Sequence, residues 1–341
     1  MNSDATPNPD PTFIPTEPGV PIAPAQPSVA HKIFIGKDGL RAGWSLLIFI
    51  ALRAAIAANF VTHKIHSNDP NAAKNMSEIS LKAAFINESI PLVIVLLVTW
   101  IMSKIERRPN SVYGLGDNRT VAHFFAGLAW GVVCLSLLVL SLWKTGLLVI
   151  DGRLLFGSDI LRYGAAWLLG FLLVGLFEEY LNRGYLQYTL TRGFAGFYRW
   201  ASNTRNSEAF GFWTSAVILS FLFGLDHGKN PGESPIGLLS AGLAAMVFCL
   251  SLWRTGSLWW AIGFHAAWDW SQSFLYGVAD SGMMAQHHLL ATHPVGKPIL
   301  SGGATGPEGS IFIVAVVGLI SLIILLTLPR TRLGDIPERS I

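Results

Sequence analysis

The chain has 341 residues, of which 51% are hydrophobic and only 13% charged, with a mean hydropathy of +0.46. That balance excludes an ordinary soluble enzyme, and a formal net charge of +3, carried mostly in connecting segments, points to no nucleic-acid partner. Several apolar runs reach the roughly 20 residues a helix needs to cross the hydrocarbon and lack the alternation of barrel strands, so the expected class is all-α, a polytopic membrane helical bundle.

Residues 1–38 read as a disordered tail: Pro7, Pro9, Pro11, Pro15, Pro18, Pro21, Pro24 and Pro27 prevent helix, and little apolar surface is available to bury. No apolar run with a cleavage site opens the chain, so no removable signal peptide is expected and the first span serves as an anchor. The membrane domain is placed at 39–330, with apolar runs at 40–61, 84–103, 121–143, 160–182, 212–227, 236–253, 257–277 and 310–328. These predict about eight transmembrane helices, the fifth short for a span, followed by a C-terminal tail at 331–341. Arg53 sits in the first run, where it can snorkel or pair with a carboxylate.

Lys and Arg are about twice as frequent on one side of this arrangement, which places both termini in the cytoplasm and the protein in a bacterial cytoplasmic membrane. Segment 192–210 mixes aromatics with Arg and is expected along the inner interface; 278–309, with Gly302, Gly303, Gly306 and Pro307, reads as a flexible outer loop. Cys134 and Cys249 fall inside apolar segments and read as small core residues rather than a disulfide.

Glu178 and Glu179 stand side by side in LLGFLLVGLFEEYLNRGYL. A carboxylate in a lipid-facing helix costs about 2.5–3.5 kcal/mol on insertion scales, so an adjacent pair demands a cavity, a partner or a task. Glu179 and Arg183 lie one helical turn apart and can pair, while Glu178 is turned by about 100° and is free to point elsewhere. The fifth run ends in Phe223-Gly224-Leu225-Asp226-His227, and the seventh contains His265-Ala266-Ala267-Trp268-Asp269, whose His265 and Asp269 share a face. Each element alone has a structural reading: a salt bridge locking two helices, a hydrogen-bonded packing histidine, and a polar clamp between helices. Together they put a carboxylate beside two imidazoles, a set that can take a proton from water and return it to a leaving group. Glu178, His227 and His265 also make a common zinc set. With no His-Glu-x-x-His pair in the chain, a metal-free site is preferred and no cofactor is assigned. Convergence predicts Glu178, His227 and His265 at about 4–7 Å, one water's span. His123, at the start of the third run, reads as interfacial, and the other histidines as solvated.

These residues resemble the CPBP intramembrane endopeptidases, the family of the type II CAAX prenyl endopeptidases and of bacteriocin-processing or immunity proteins. The family pattern of Glu-Glu-x-x-x-Arg, Phe-x-x-x-His and His-x-x-x-Asn/Asp is met in order by Glu178 to Arg183, Phe223 to His227 and His265 to Asp269. Glu106-Arg107-Arg108-Pro109, followed by Gly114-Leu115, adds a weaker likeness. The resemblance implies a helical bundle whose core, about 121–278, holds a water-filled cavity. Glu178 would then activate water, Glu179 and Arg183 would orient it, and His227, His265 and Asp269 would bind water or stabilise the oxyanion. The implied activity is cleavage of a peptide or membrane-protein substrate at the bilayer. The competing classes are a non-catalytic immunity or scaffold protein of the same fold and a proton-coupled transporter; a transporter would usually carry an internal repeat, and none is visible.

Overall fold

The computed structural model describes residues 28–64, 78–202 and 204–329. Most of the Pro-rich tail and all of 331–341 lie outside the described residues. Residues 28–38, read with the tail, carry a short helix, Val29–Phe34, and the strand Ile35–Gly36, which pairs with Gly39–Leu40.

The main helices are α1 (Ala42–Lys64), α2 (Leu81–Glu106), α3 (Thr120–Lys144), α4 (Ser158–Glu179), α5 (Gln187–Ser202), α6 (Ser207–Asp226), α7 (Pro235–Thr255), α8 (Trp259–Trp270) and α9 (Ile313–Thr327). Their ends follow local chemistry. Ser80 accepts from the backbone N–H of Ala83 to start α2, and Ser234 does the same for Gly237 with Pro235 in the first turn of α7. Gly256, in the left-handed region, ends α7.

Five helical stretches among the described residues are long and apolar enough to cross a membrane: Leu81–Glu106, Thr120–Lys144, Ser158–Ser202, Ser207–Lys229 and Pro235–Thr255. Ala42–Ala58 and Ile313–Thr327 are apolar but shorter, and α8 runs for only 12 residues before its ladder changes. The expected count of eight is therefore not reached by length and apolarity. The fourth run continues without a break to Ser202, and the fifth, read as short, is long enough once the turns from Ser207 and to Lys229 are included.

The core forms where α3 and α8 cross. A Cβ on Gly127 would lie 2.1 Å from the Trp260 carbonyl, and one on Gly263 would lie 2.2 Å from that of Phe124. Backbones this close are the usual solution where helices pack without a hydrophobic drive between them. Around the crossing Cys134, Leu135, Leu138, Trp260 and Phe264 are fully or almost fully buried. Both cysteines are free, as the sequence suggested. Because Gly263 lies two residues before His265, Gly263→Ala is expected to push α8 off α3. The cost should be about 1–3 kcal/mol as overpacking, read as a lower unfolding temperature in detergent, with activity lost alongside.

Segment 276–312, which contains the flexible loop expected at 278–309, is folded instead. Strand β1 (Leu148–Arg153) pairs antiparallel with β2 (Leu290–Pro294), and Ser301, Thr305 and Ser310 are buried. Gly282 adopts φ +82, and a Cβ there would meet the Pro231 carbonyl at 1.7 Å. The glycines that suggest looseness in sequence instead let this segment fold tightly over one end of the bundle.

Candidate active site

Glu178 and Glu179 close α4, and the backbone then enters a π-helical stretch, Tyr180–Leu186, before resuming as α5. A second π stretch, Ser271–Leu275, follows directly after Asp269-Trp270 on α8. Such π turns tend to mark functional positions because they re-aim side chains without ending the helix. At Gly175, one turn before the glutamates, a Cβ would approach the Ile262 carbonyl at 3.1 Å, so α4 and α8 run close together there.

Glu179 is fully buried. Its Oε1 accepts from Arg183 Nη1 at 3.1 Å and from His265 Nδ1 at 3.0 Å. Arg183 is nearly as buried, and its guanidinium lies 4.3 Å over the Phe223 ring and 5.7 Å from that of Phe248. The phenylalanine of the second motif thus supports the arginine of the first through a desolvated cation–π contact. Phe248 also stacks on His265 at 5.6 Å.

A carboxylate only accepts, so His265 gives its Nδ1–H to Glu179 and turns Nε2 towards the remaining groups. There Nε2 lies 3.8 Å from Glu178 Oε2 and 3.5 Å from Asp269 Oδ2. The pair Glu179–Arg183 fixes the ring from behind, as carboxylate partners of histidine commonly do, while Glu178 and Asp269 face its other edge.

That edge borders a cavity of about 290 Å³, also lined by His227, Asn230 and Ser240. It is far larger than the single water site anticipated, since a water occupies roughly 30 Å³ in the liquid. His227 sits on the cavity wall with Nδ1 2.8 Å from the carbonyl of Phe223. A carbonyl only accepts, so neutral His227 donates from Nδ1 and presents the Nε2 lone pair. Of the named motif residues, Glu178, Phe223, His227, His265, Trp268 and Asp269 line this cavity, and Asp226 pairs with Lys229 on the exposed surface. Among the described residues no three His, Cys, Asp or Glu side chains are gathered closely enough to hold a metal ion. The zinc set Glu178, His227 and His265 thus does not fit the geometry present.

The sequence reading passes over four residues on the same wall: Glu88 on α2, and Asp280, Ser281 and Glu308 on the covering segment. Glu88 gave a usable signal, a lone carboxylate inside an apolar run. Asp280 and Glu308 gave none, because their segment reads as solvated loop. His123 lies apart from the cavity, its Nδ1 2.5 Å from Asp117 Oδ2.

Residues 160–271 match the family model described as type II CAAX prenyl endopeptidase Rce1-like. The matched stretch contains all three motifs and ends two residues beyond Asp269. No curated protein and no solved structure matches the chain. Five helical stretches among the described residues are long and apolar enough to cross a membrane, which supports an integral membrane protein, and residues 160–271 are similar to a protease family.

Proposed function

We propose that the protein is an intramembrane endopeptidase that hydrolyses a peptide bond of a membrane-associated protein or peptide by glutamate-activated water. The observation that carries this reading is the line Arg183–Glu179–His265, which holds an imidazole edge against Glu178 and Asp269 at the wall of a cavity. Glu178 is free of the ion pair and borders open space, as a general base must. Water held between Glu178 and the Nε2 atoms of His265 and His227 gives its proton to Glu178. The hydroxide adds to the carbonyl carbon, the C–N bond breaks, and the proton on Glu178 passes to the leaving amine. His265, kept in one tautomer by Glu179, orients the water, and Asp269 limits the swing of the ring.

The bacterial membrane with cytoplasmic termini and the limits 39–330 of the membrane domain belong to this same proposal. The test is reconstitution of the full chain in liposomes with a library of membrane-associated peptides in heavy-oxygen water. The expected result is discrete cleavage, with one heavy oxygen in each new C-terminal carboxylate. Absence of any cleaved product across the library would overturn the reading.

A further inference from the structure

The wall of the cavity is one-sided in charge. Among the described residues, Glu88, Glu178, Asp269, Asp280 and Glu308 contribute five carboxyl groups, His227 and His265 are the only basic side chains, and no Lys or Arg lines it. Arg183 is committed to Glu179 behind the wall. At the end covered by segment 276–312, Asp280 Oδ2 accepts from Ser273 Oγ at 3.0 Å. Glu308 Oε1 accepts from the N–H and the hydroxyl of Ser281 at 2.6 and 2.9 Å. Ser281 follows Asp280 in the chain, so these bonds hold the two acids side by side and leave Asp280 Oδ1 and Glu308 Oε2 without a hydrogen bond among the described residues.

A second observation points to a ligand. Ser240 on α7 is 4% exposed and lines the cavity, yet its hydroxyl has no hydrogen-bond partner among the described residues. A buried hydroxyl left unpaired facing a cavity suits a guest that brings a polar group of its own. Trp167, Phe171 and Trp268 add aromatic faces to the same wall, and aromatic faces attract cations as carboxylates do.

We infer that the cavity contains a cation-recognising subsite, built by Asp280 and Glu308, that seats a Lys or Arg side chain of the peptide substrate next to the bond being cleaved. The inference rests on the peptidase reading and names its substrate class. The two acids lie outside the matched region 160–271, so the subsite is separate from the residues that carry the family motifs. Burial, together with the neighbouring Asp269 and Glu308 carboxylates, pushes the Asp280 carboxyl well above its ordinary range, and burial with Glu233 raises that of Glu308. His265 and His227 offset this only in part, and a seated ammonium or guanidinium supplies a further positive partner. A bare divalent ion is the poorer guest, since no metal-holding cluster is formed there among the described residues.

The experiment uses the full chain in liposomes and peptides that differ only in carrying Lys, Gln or Glu at one position beside the cleaved bond. The Lys peptide is expected to show kcat/KM about tenfold above its Gln counterpart, and the Glu peptide to fall below both. In the chain carrying both Asp280→Asn and Glu308→Gln, the Lys advantage should vanish through a rise in KM. Binding of the same peptides to the Glu178→Gln chain, followed by tryptophan fluorescence, should keep the Lys preference without turnover. If wild type cleaves nothing while this binding preference is present and is lost on adding the two substitutions, the peptidase reading fails and the subsite stands. Equal cleavage and equal binding of Lys and Gln peptides would overturn the subsite, and this comparison needs no variant to fold. Saturable binding of zinc or magnesium alone that excludes the Lys peptide would overturn it too, in favour of a metal site.

Discussion

Glu178→Ala is expected to lower peptide cleavage by about 10²–10⁴-fold while leaving the protein folded, because it removes the group that takes the proton from water. The carboxylate contributes little to packing. It takes no part in the buried ion pair, and His265 Nε2 lies 3.8 Å away, beyond a direct hydrogen bond. The loss should fall on kcat, with substrate binding largely retained, since an interaction made chiefly in the transition state is being deleted. The measurement is steady-state cleavage in liposomes beside thermal unfolding in detergent. Near-normal activity would remove Glu178 from the role of base. Unfolding of the variant would instead favour the competing view of the motif as a structural clamp, and with it a non-catalytic scaffold.

Arg183→Ala should behave in the opposite way and destabilise first. It leaves Glu179, fully buried, with His265 as its only described partner, and stranding a buried charge typically costs about 3–5 kcal/mol. Glu179 Oε2 and Arg183 Nη2 already lack hydrogen bonds among the described residues, so no reserve partner is in place to absorb the change. Activity should fall as well, because Glu179 then no longer holds the His265 ring in one position. Combining Arg183→Ala with Glu179→Ala should cost less than the sum of the single changes, the signature of two groups that matter mainly to each other. Unfolding temperatures of the singles and the double decide this. Strict additivity would mean that the pair is not a unit.

The site was legible in the sequence where burial and charge conflict. Glu178, Glu179, His265 and Asp269 stand out because each is expensive in an apolar run, and only a shared cavity makes that cost tolerable. Glu88 obeys the same logic, but a single acid near the start of α2 is a weaker signal than an adjacent pair. Asp280 and Glu308 were hidden for another reason. Their polarity suits a solvated loop, and only the folding of segment 276–312 over the bundle turns them inward. Helix class was readable from run length, whereas the span count was not, because a run of 21 apolar residues such as 257–277 can contain a 12-residue α-helix and a π turn as easily as one regular span. The likeness at Glu106 to Pro109 turns out to belong to a different neighbourhood. There Glu106 accepts from Tyr113 and Tyr185, each at 3.3 Å, and tethers α2 to the π segment from its far side.

The two π segments carry a consequence for how this protein tolerates changes in length. A π turn is an α-helix holding one residue more than its ladder needs, so the chain at Tyr180–Leu186 and at Ser271–Leu275 is longer than its rise requires. Removing a single residue from the first stretch would permit a regular ladder, and local helicity would not suffer. The side chains inside the stretch, however, would lose the aim that the π turn gives them. A cut placed between Glu179 and Arg183 would shorten their spacing from four residues to three and re-aim the guanidinium relative to its carboxylate and to the ring of Phe223. The surplus residue is therefore part of the site's geometry, and the chain length between Glu179 and Gln187 constrains the site as tightly as the identity of any side chain in it.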